Sequence, residues 1–328
     1  MQAAFYDRTG PAREVLSLGE LPNPEPGPGE LRVRLHYSGV NPSDVKSRAG
    51  RRNMPMPFAR IVPHSDGAGV VDRVGSGVPA TRIGERVWVW NAAWGRAMGT
   101  AAQYVVLPAA QAVALPAGVP LEAGACFGIP ALTALHAVQA QGGVRDQCVL
   151  VAGGAGAVGH YAVQFAHLLG ARQVIATVSG PEKAALALAA GADAAIDYRR
   201  EDLAVRVREL TEGRGVDRIV EVDIAANGAR YGELLREGGA ALVYGSGQPE
   251  FSLPFFPLIA RNISLHFFIV YQLGAAARAA AEQTLARLLA EGRLQHRIAE
   301  RLPLAQIAAA HELVESGRAV GNVVLEIP

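Results

Sequence analysis

The stretch that decides the fold is "CVLVAGGAGAVGHYAVQFAHLLGA", Cys148 to Ala171. It opens with a short apolar run of strand type and closes in a helical pattern. Between them lies the loop Gly154–Ala155–Gly156–Ala157–Val158–Gly159, with glycines spaced G-x-G-x-x-G. That spacing is weak evidence alone, but between a strand and a helix each glycine has a task. Gly154 permits a tight turn, Gly156 lets the backbone approach a pyrophosphate, and Gly159 lets helix and strand pack closely. The N–H groups of Ala157 and Val158 then point at phosphate from the helix N-terminus. The stretch reads as a dinucleotide site; the bland alternative is a Gly-rich turn with no ligand.

Around this stretch, short apolar runs alternate with helical segments. The runs are "CVLVAG", "QVIATV", "AAIDY", "DRIVEV", "AALVYG" and "SLHFFIV". The segments between them are "AVGHYAVQFAHLLG", "PEKAALALAAG", "EDLAVRVRELTEG" and "ARYGELLREGG". Continuous apolar strands joined by helices indicate a parallel sheet covered on both faces, here a six-stranded doubly wound one. The tail adds helices over 275–291 and near 305–315, then a strand "NVVLEI". Upstream of about residue 124 the pattern differs. "LRVRLHYSGV", "GAGVVDRVGSGV" and "GERVWVW" alternate or run apolar between Gly and Pro turns, which suggests a small β barrel or sandwich.

With 328 residues, the chain has room for two domains at roughly 100–200 residues each. Its 31 basic and 30 acidic residues nearly cancel, so no net field favours nucleic acid or an anionic membrane. The two cysteines, Cys126 and Cys148, form no CxxC motif, which argues against a disulfide framework and fits a reducing cytoplasm. No signal-peptide pattern is evident, and the apolar run over 263–273 is shorter than the ~20 residues that span a bilayer. A cytoplasmic globular protein is expected.

An enzyme using NAD usually carries an acid about 20 residues past the glycines, for the ribose 2′-hydroxyl. Here Ser179 stands there, followed by Lys183, and the third strand ends in Tyr198, Arg199 and Arg200. Hydroxyls and cations where a carboxylate is missing suit a 2′-phosphate, hence NADPH. The alternative is that the three cations are solvated surface charges.

"PHSDGAG", Pro63 to Gly69, places His64, Ser65 and Asp66 side by side. Neighbouring residues cannot reach each other in the geometry of a hydrolytic triad. Together with "GVNPSDVKSRAG", "FGIPALTALHAV", "VAGGAGAVG" and "AVGNVVLEI", this stretch resembles the medium-chain dehydrogenase/reductase superfamily. More closely, the chain is similar to the zeta-crystallin-type NADPH:quinone oxidoreductases, from about residue 28 to its end. The resemblance implies an α/β protein. A GroES-like β-barrel catalytic domain (1–123 and 269–328) would flank an inserted Rossmann domain (124–268).

Zinc enzymes of that superfamily take Cys, His and a further Cys at three positions, which fall here on Asn41, Ser65 and the neighbourhood of Ile129. His64 lies one residue out of register, so no zinc is expected. The resemblance places Asn41, Asp44 and Lys46 around nicotinamide and substrate, with Asn41 bonding either the carboxamide or the acceptor carbonyl. Lys46 stands where the best-known members have tyrosine; its bland reading is a solvated lysine. Thr133, Tyr244–Gly245–Ser246, the strand Phe268–Ile269–Val270 and Asn322 are further cofactor contacts by resemblance. The apolar edge strand implies a homodimer. At least one of Trp88, Trp90 and Trp94 is expected in the core, and Trp94 is a candidate aromatic wall. His64 is expected as a partly polar turn residue. The expected acceptor is a quinone, with an enone or 2-alkenal as the rival. A non-catalytic, crystallin-like or RNA-binding NADPH protein is the third reading, disfavoured by the charge balance.

Overall fold

The computed structural model describes residues 1–51 and 55–328. Contacts gather into two units, Met1–Pro130 with Ala286–Pro328, and Ala131–Leu285. Residues 124–130 group with the first unit and 269–285 with the second.

The first unit opens with an antiparallel ribbon, β1 (Gln2–Phe5) and β2 (Ser17–Glu20), with helix α1 (Ala12–Val15) between them. The spine is β3 (Glu30–Val40). It pairs antiparallel with β4 (Asp66–Val74) along one side and with β6 (Tyr104–Pro108) at its start. Then β5 (Arg86–Val89) pairs with β4, and β7 (Ala112–Ala114) with β5. Alternation decides the faces: Leu31, Val33 and Leu35 turn into a core with Val87, Val89, Val105 and Leu107, while Arg34 is exposed. Each such buried side chain contributes about 1.5–3 kcal/mol. Trp88 lies in the core, edge-on to Phe127 at 5.9 Å, whereas Trp94 is exposed. Helix α2 (Pro42–Arg48) follows β3 directly, started by a capping box at Asn41 and by Pro42 in its first turn. Helix α3 (Leu121–Gly124) ends this part.

The second unit begins with α4 (Leu132–Gln139) and continues β8 (Cys148–Val151), α5 (Ala157–Leu168), β9 (Gln173–Val178), α6 (Pro181–Ala189), β10 (Ala194–Asp197), α7 (Leu203–Leu210) and β11 (Val216–Glu221). Then come α8 (Ile224–Asn227), α9 (Tyr231–Leu234), β12 (Leu235–Val243), α10 (Phe255–Ile259), β13 (Ser264–Phe267) and α11 (Ala275–Ala290). The sheet is fully parallel in the order β10-β9-β8-β11-β12-β13. That is the six-stranded doubly wound fold, whose strand order reverses between β8 and β11, where such sheets bind ligands.

Two expectations are corrected here. "ARYGELLREGG" is not one helix: α9 stops at Leu234, and β12 starts at Leu235, which is buried opposite Val216. A register shift lies just beyond that pair. The segment Phe268–Ile269–Val270 is not strand either. β13 ends at Phe267 and a single turn covers Val270–Gln272, because the buried Arg278 guanidinium donates to the Val270 carbonyl at 2.6 Å.

The chain then returns to the first sheet through β14 (Ile298–Pro303), α12 (Ile307–Glu315) and β15 (Asn322–Glu326). β15 pairs antiparallel with the end of β3, and β14 lies parallel to β15.

Candidate active site

In the second unit, the glycine-rich turn has no room for a side chain at Gly154 or Gly159. Gly153, not Gly154, supplies the left-handed turn, at φ +69°. Gly154 is instead a packing glycine: a Cβ there would stand 2.6 Å from the Ala176 Cβ on β9. The turn hangs from that strand, because Gly153 N–H donates to Thr177 Oγ1 and Gly154 N–H to the Thr177 carbonyl, both at 3.0 Å. A Cβ on Gly159 would meet the Gly153 carbonyl oxygen at 2.1 Å. Gly156 caps α5 in extended conformation without a side chain. The first-turn N–H groups of Ala157, Val158 and Gly159 lack intrahelical acceptors by helix geometry, which makes this end an anion site. Ala155 is buried beneath the turn.

At the neighbouring strand end, Lys183 Nζ donates to Ser179 Oγ at 3.0 Å. Tyr198 N–H donates to the Val178 carbonyl at 3.1 Å, which sets the exposed Tyr198 beside the Ser179 turn. Arg199 and Arg200 follow it, exposed. The hydroxyl and cation that the sequence singles out are therefore in contact.

The ends of β11 and β12 carry a network that sequence reasoning missed. Glu221 is buried and accepts from Asp223 N–H (2.6 Å), Asn227 Nδ2 (2.9 Å) and the Tyr231 hydroxyl (2.9 Å). Burial pushes its carboxyl up, and those three donors oppose the shift. Asp223 Oδ1 accepts from Gly247 N–H at 2.7 Å, while Ile224 N–H donates to the Gly245 carbonyl at 3.2 Å. A Cβ on Gly245 would meet the Val222 carbonyl at 2.2 Å. The Tyr244–Gly245–Ser246 turn is thus fastened to β11. It lines a pocket of about 650 Å³ together with Phe268, Ile269 and His136. His136 stacks edge-on to Phe268 at 4.6 Å, and burial holds its imidazole below the ordinary range, so it is neutral at pH 7. A lone histidine in the apolar stretch "FGIPALTALHAV" was the available signal for it. Thr133 is buried on α4, and Val270 is buried in the turn after β13.

In the first unit, Asn41, Asp44 and Asp66 come together. Asn41 N–H donates to Asp44 Oδ2 at 2.9 Å, and Asn41 Nδ2 donates to Asp66 Oδ2 at 2.9 Å. The same Asp66 oxygen accepts Ile129 N–H at 3.0 Å. Asp66 is fully buried, and burial followed by the neighbouring Asp44 pushes its carboxyl well up despite the Asn41 and Ile129 donors. The neutral acid is the form that burial favours. Lys46 is half-buried on the same helix. Asn322 is buried at the start of β15, where both its N–H and its Nδ2 donate to the Arg297 carbonyl.

His64 is not a polar turn residue. It is fully buried, at φ +77°, a conformation that costs a non-glycine residue about 1–3 kcal/mol. That turn sends the ring into the unit, where a hydrogen-bonded chain fixes its tautomer. Thr100 Oγ1 donates to the Asp66 carbonyl (2.5 Å), so the proton shared with Ser38 Oγ (2.8 Å) belongs to Ser38. Ser38 Oγ then accepts from His64 Nδ1 (2.9 Å), and His64 Nε2 accepts from His311 Nε2 (2.8 Å). Burial holds His64 down at about 3 and His311 well below its ordinary value, with His64 and Arg48 adding to the latter. Both rings are neutral; His64 has no lone pair left over, and the one on His311 Nδ1 is buried inside the unit, without the open position of a metal ligand or base.

Residues 27–117 match the family model described as "Alcohol dehydrogenase GroES-like domain", and residues 157–291 match that described as "Zinc-binding dehydrogenase". A 2-haloacrylate reductase from a Burkholderia species is 30% identical, covering 99% of this chain and 98% of that protein. The chain belongs to the medium-chain dehydrogenase/reductase superfamily. A quinone oxidoreductase from Pseudomonas aeruginosa is 38% identical over 202 residues, which is 61% of this chain and 60% of that protein. The chain thus spans about three-fifths of that relative's length. The crystal structure of Escherichia coli quinone oxidoreductase complexed with NADPH superposes with a TM-score of 0.88 at 27% identity, covering 99% of this chain and 100% of that one. Within the superfamily this chain is a quinone-oxidoreductase-like oxidoreductase, although names of alcohol dehydrogenases occur among its relatives too. The zinc named by one family model finds no fitting donor set. The positions that the resemblance assigns to zinc ligands hold Asn41 and Ser65, with the third near Ile129, and no group of three or more His, Cys, Asp or Glu among the described residues is arranged to hold an ion.

Proposed function

We propose that this oxidoreductase binds NADPH and reduces an electron-poor carbonyl-conjugated acceptor, a quinone in the first instance, without zinc. The observation that carries the reading is the cradle of Gly153, Gly156 and Gly159 at the N-terminus of α5, beside the Lys183–Ser179 pair. Side chains would fill that cradle, and its donors suit phosphate. When bound, the cofactor supplies the hydride. The chain's own residues bind and orient: α5 N–H groups take the pyrophosphate, and Lys183 with Ser179 takes the 2′-phosphate. Tyr244–Ser246 and Phe268–Ile269, which line the pocket of the second unit, contact the cofactor. Asn41 donates a hydrogen bond to the acceptor oxygen as negative charge gathers there, the task of an oxyanion donor. Proton delivery falls to Lys46 or to water, because His136, His64 and His311 are neutral and Asp66 is sealed in the first unit.

Lys183→Ala is expected to raise KM for NADPH about tenfold or more and KM for NADH less than twofold. That is the loss of one charge-assisted bond to phosphate, worth about 1.5–3 kcal/mol. Steady-state titration with both cofactors decides it, and equal effects would remove the 2′-phosphate assignment.

A relative named 2-haloacrylate reductase, matched over nearly the full length, favours an activated alkene as the second reading. Rates with a naphthoquinone against a short enone separate the two. We also propose a homodimer joined along β13, the sheet edge. Phe267 is exposed on this strand, and Phe255, Phe256 and Ile259 of α10 are exposed as well, an apolar set that water alone covers poorly. Equilibrium sedimentation of the full chain tests it. No helix among the described residues is long and apolar enough to cross a membrane.

A further inference from the structure

The Asn41 amide has its polar atoms assigned by its neighbours. Its backbone N–H goes to Asp44 Oδ2 at 2.9 Å, and the Asp44 N–H, which bonds the Asn41 carbonyl at 3.0 Å, faces its side chain in the capping-box arrangement. One hydrogen of Nδ2 goes to Asp66 Oδ2 at 2.9 Å. Turning the amide over would set its NH2 against the Asp44 N–H, donor against donor. What remains is one side-chain N–H. We propose that Asp66 is a positioning residue, which holds the Asn41 amide so that this last N–H is presented to the carbonyl oxygen of the acceptor.

The inference rests on the function proposed above, and it makes Asn41 a donor only. Such a group selects substrates whose reacting end carries an accepting oxygen, and it strengthens as that oxygen gains negative charge. Asp66 is built for the task. Its carbonyl is pinned by Thr100 at 2.5 Å, and its Oδ2 is shared with Ile129 N–H at 3.0 Å. Gly128 leaves space for the carboxyl, since a Cβ there would stand 2.3 Å from Asp66 Oδ1. As the buried neutral acid, Asp66 offers Asn41 an acceptor oxygen without setting a second full charge beside Asp44. The sequence alone leaves Asn41 free to bond carboxamide or carbonyl; both offer an oxygen to a donor, and we assign the acceptor carbonyl because its oxygen gains the negative charge.

The test is a double-mutant cycle on the full-length protein with NADPH and a naphthoquinone or short enone. Asp66→Ala is expected to lower kcat/KM for the acceptor about 30–300-fold, with KM for NADPH within about twofold. Asp66→Asn keeps an oxygen that accepts both N–H groups and is expected to stay within about threefold of wild type. Adding Asp66→Ala to Asn41→Ala is expected to cost no more than about threefold further. Should Asp66→Ala not fold, Asp66→Ser serves in its place, because its shorter hydroxyl cannot reach both donors. Additive losses in the cycle, or an Asp66→Asn enzyme as weak as Asp66→Ala, would overturn the assignment and leave the proposed function standing. Wild-type protein that turns over no acceptor would overturn both.

Discussion

Asn41→Ala is expected to lower kcat/KM for a quinone or enone by about 10²–10³, the usual cost of losing one oxyanion donor. The size follows from where the residue sits. Asn41 is buried at the start of α2, with its amide held by Asp66 and the capping box, so its last N–H needs no reorganisation to reach a developing charge. NADPH binding, followed by quenching of protein fluorescence, is expected to stay within about twofold, because the residues assigned to it lie on the Gly153–Gly159 turn, at Ser179 and Lys183, and at the β12 end. Removing the cap also costs the fold about 1 kcal/mol, which thermal unfolding separates from the kinetic effect. A loss confined to KM for NADPH would place Asn41 on the cofactor's carboxamide instead.

Gly159→Ala is expected to disrupt the nucleotide site itself. The added methyl would lie 2.1 Å from the Gly153 carbonyl, a backbone atom whose chain is tied to Thr177 and cannot swing aside as a side chain would. Overpacking of this kind costs about 1–3 kcal/mol or more. The turn that yields is the one that would carry phosphate, so the dissociation constant for NADPH should rise at least tenfold. Thermal unfolding with and without NADPH reads both effects. A variant with unchanged stability and unchanged NADPH affinity would show that the turn is not the nucleotide site.

The doubly wound sheet was legible because its strands are continuous apolar runs, and "VAGGAGAVG" falls at the strand-to-helix step that such sheets use. The helix boundary at Leu234 was not legible, since "LLREGG" reads helical until Leu235 finds Val216 across the sheet. β14 was hidden for a related reason: "IAERLP" has no apolar alternation, and only β15 beside it makes it a strand. The site divides the same way. Ser179 and Lys183 are four residues apart on consecutive elements, so their contact follows from local order. Asn41 and Asp66 are 25 residues apart, and Glu221 needs the fold of α8 and α9 to meet Tyr231. His64 misled because a polar residue after proline reads as an exposed turn, whereas its left-handed backbone turns the ring inward onto Ser38 and His311.

The most direct test of the account is the absorbance of NADPH mixed with the enzyme and a naphthoquinone or short enone, with and without a chelator. The expected result is acceptor-dependent oxidation at about 1 s⁻¹ or faster, preferring NADPH to NADH and unchanged by the chelator. Tight NADPH binding with no turnover of either acceptor, or activity that the chelator abolishes and zinc restores, would contradict it.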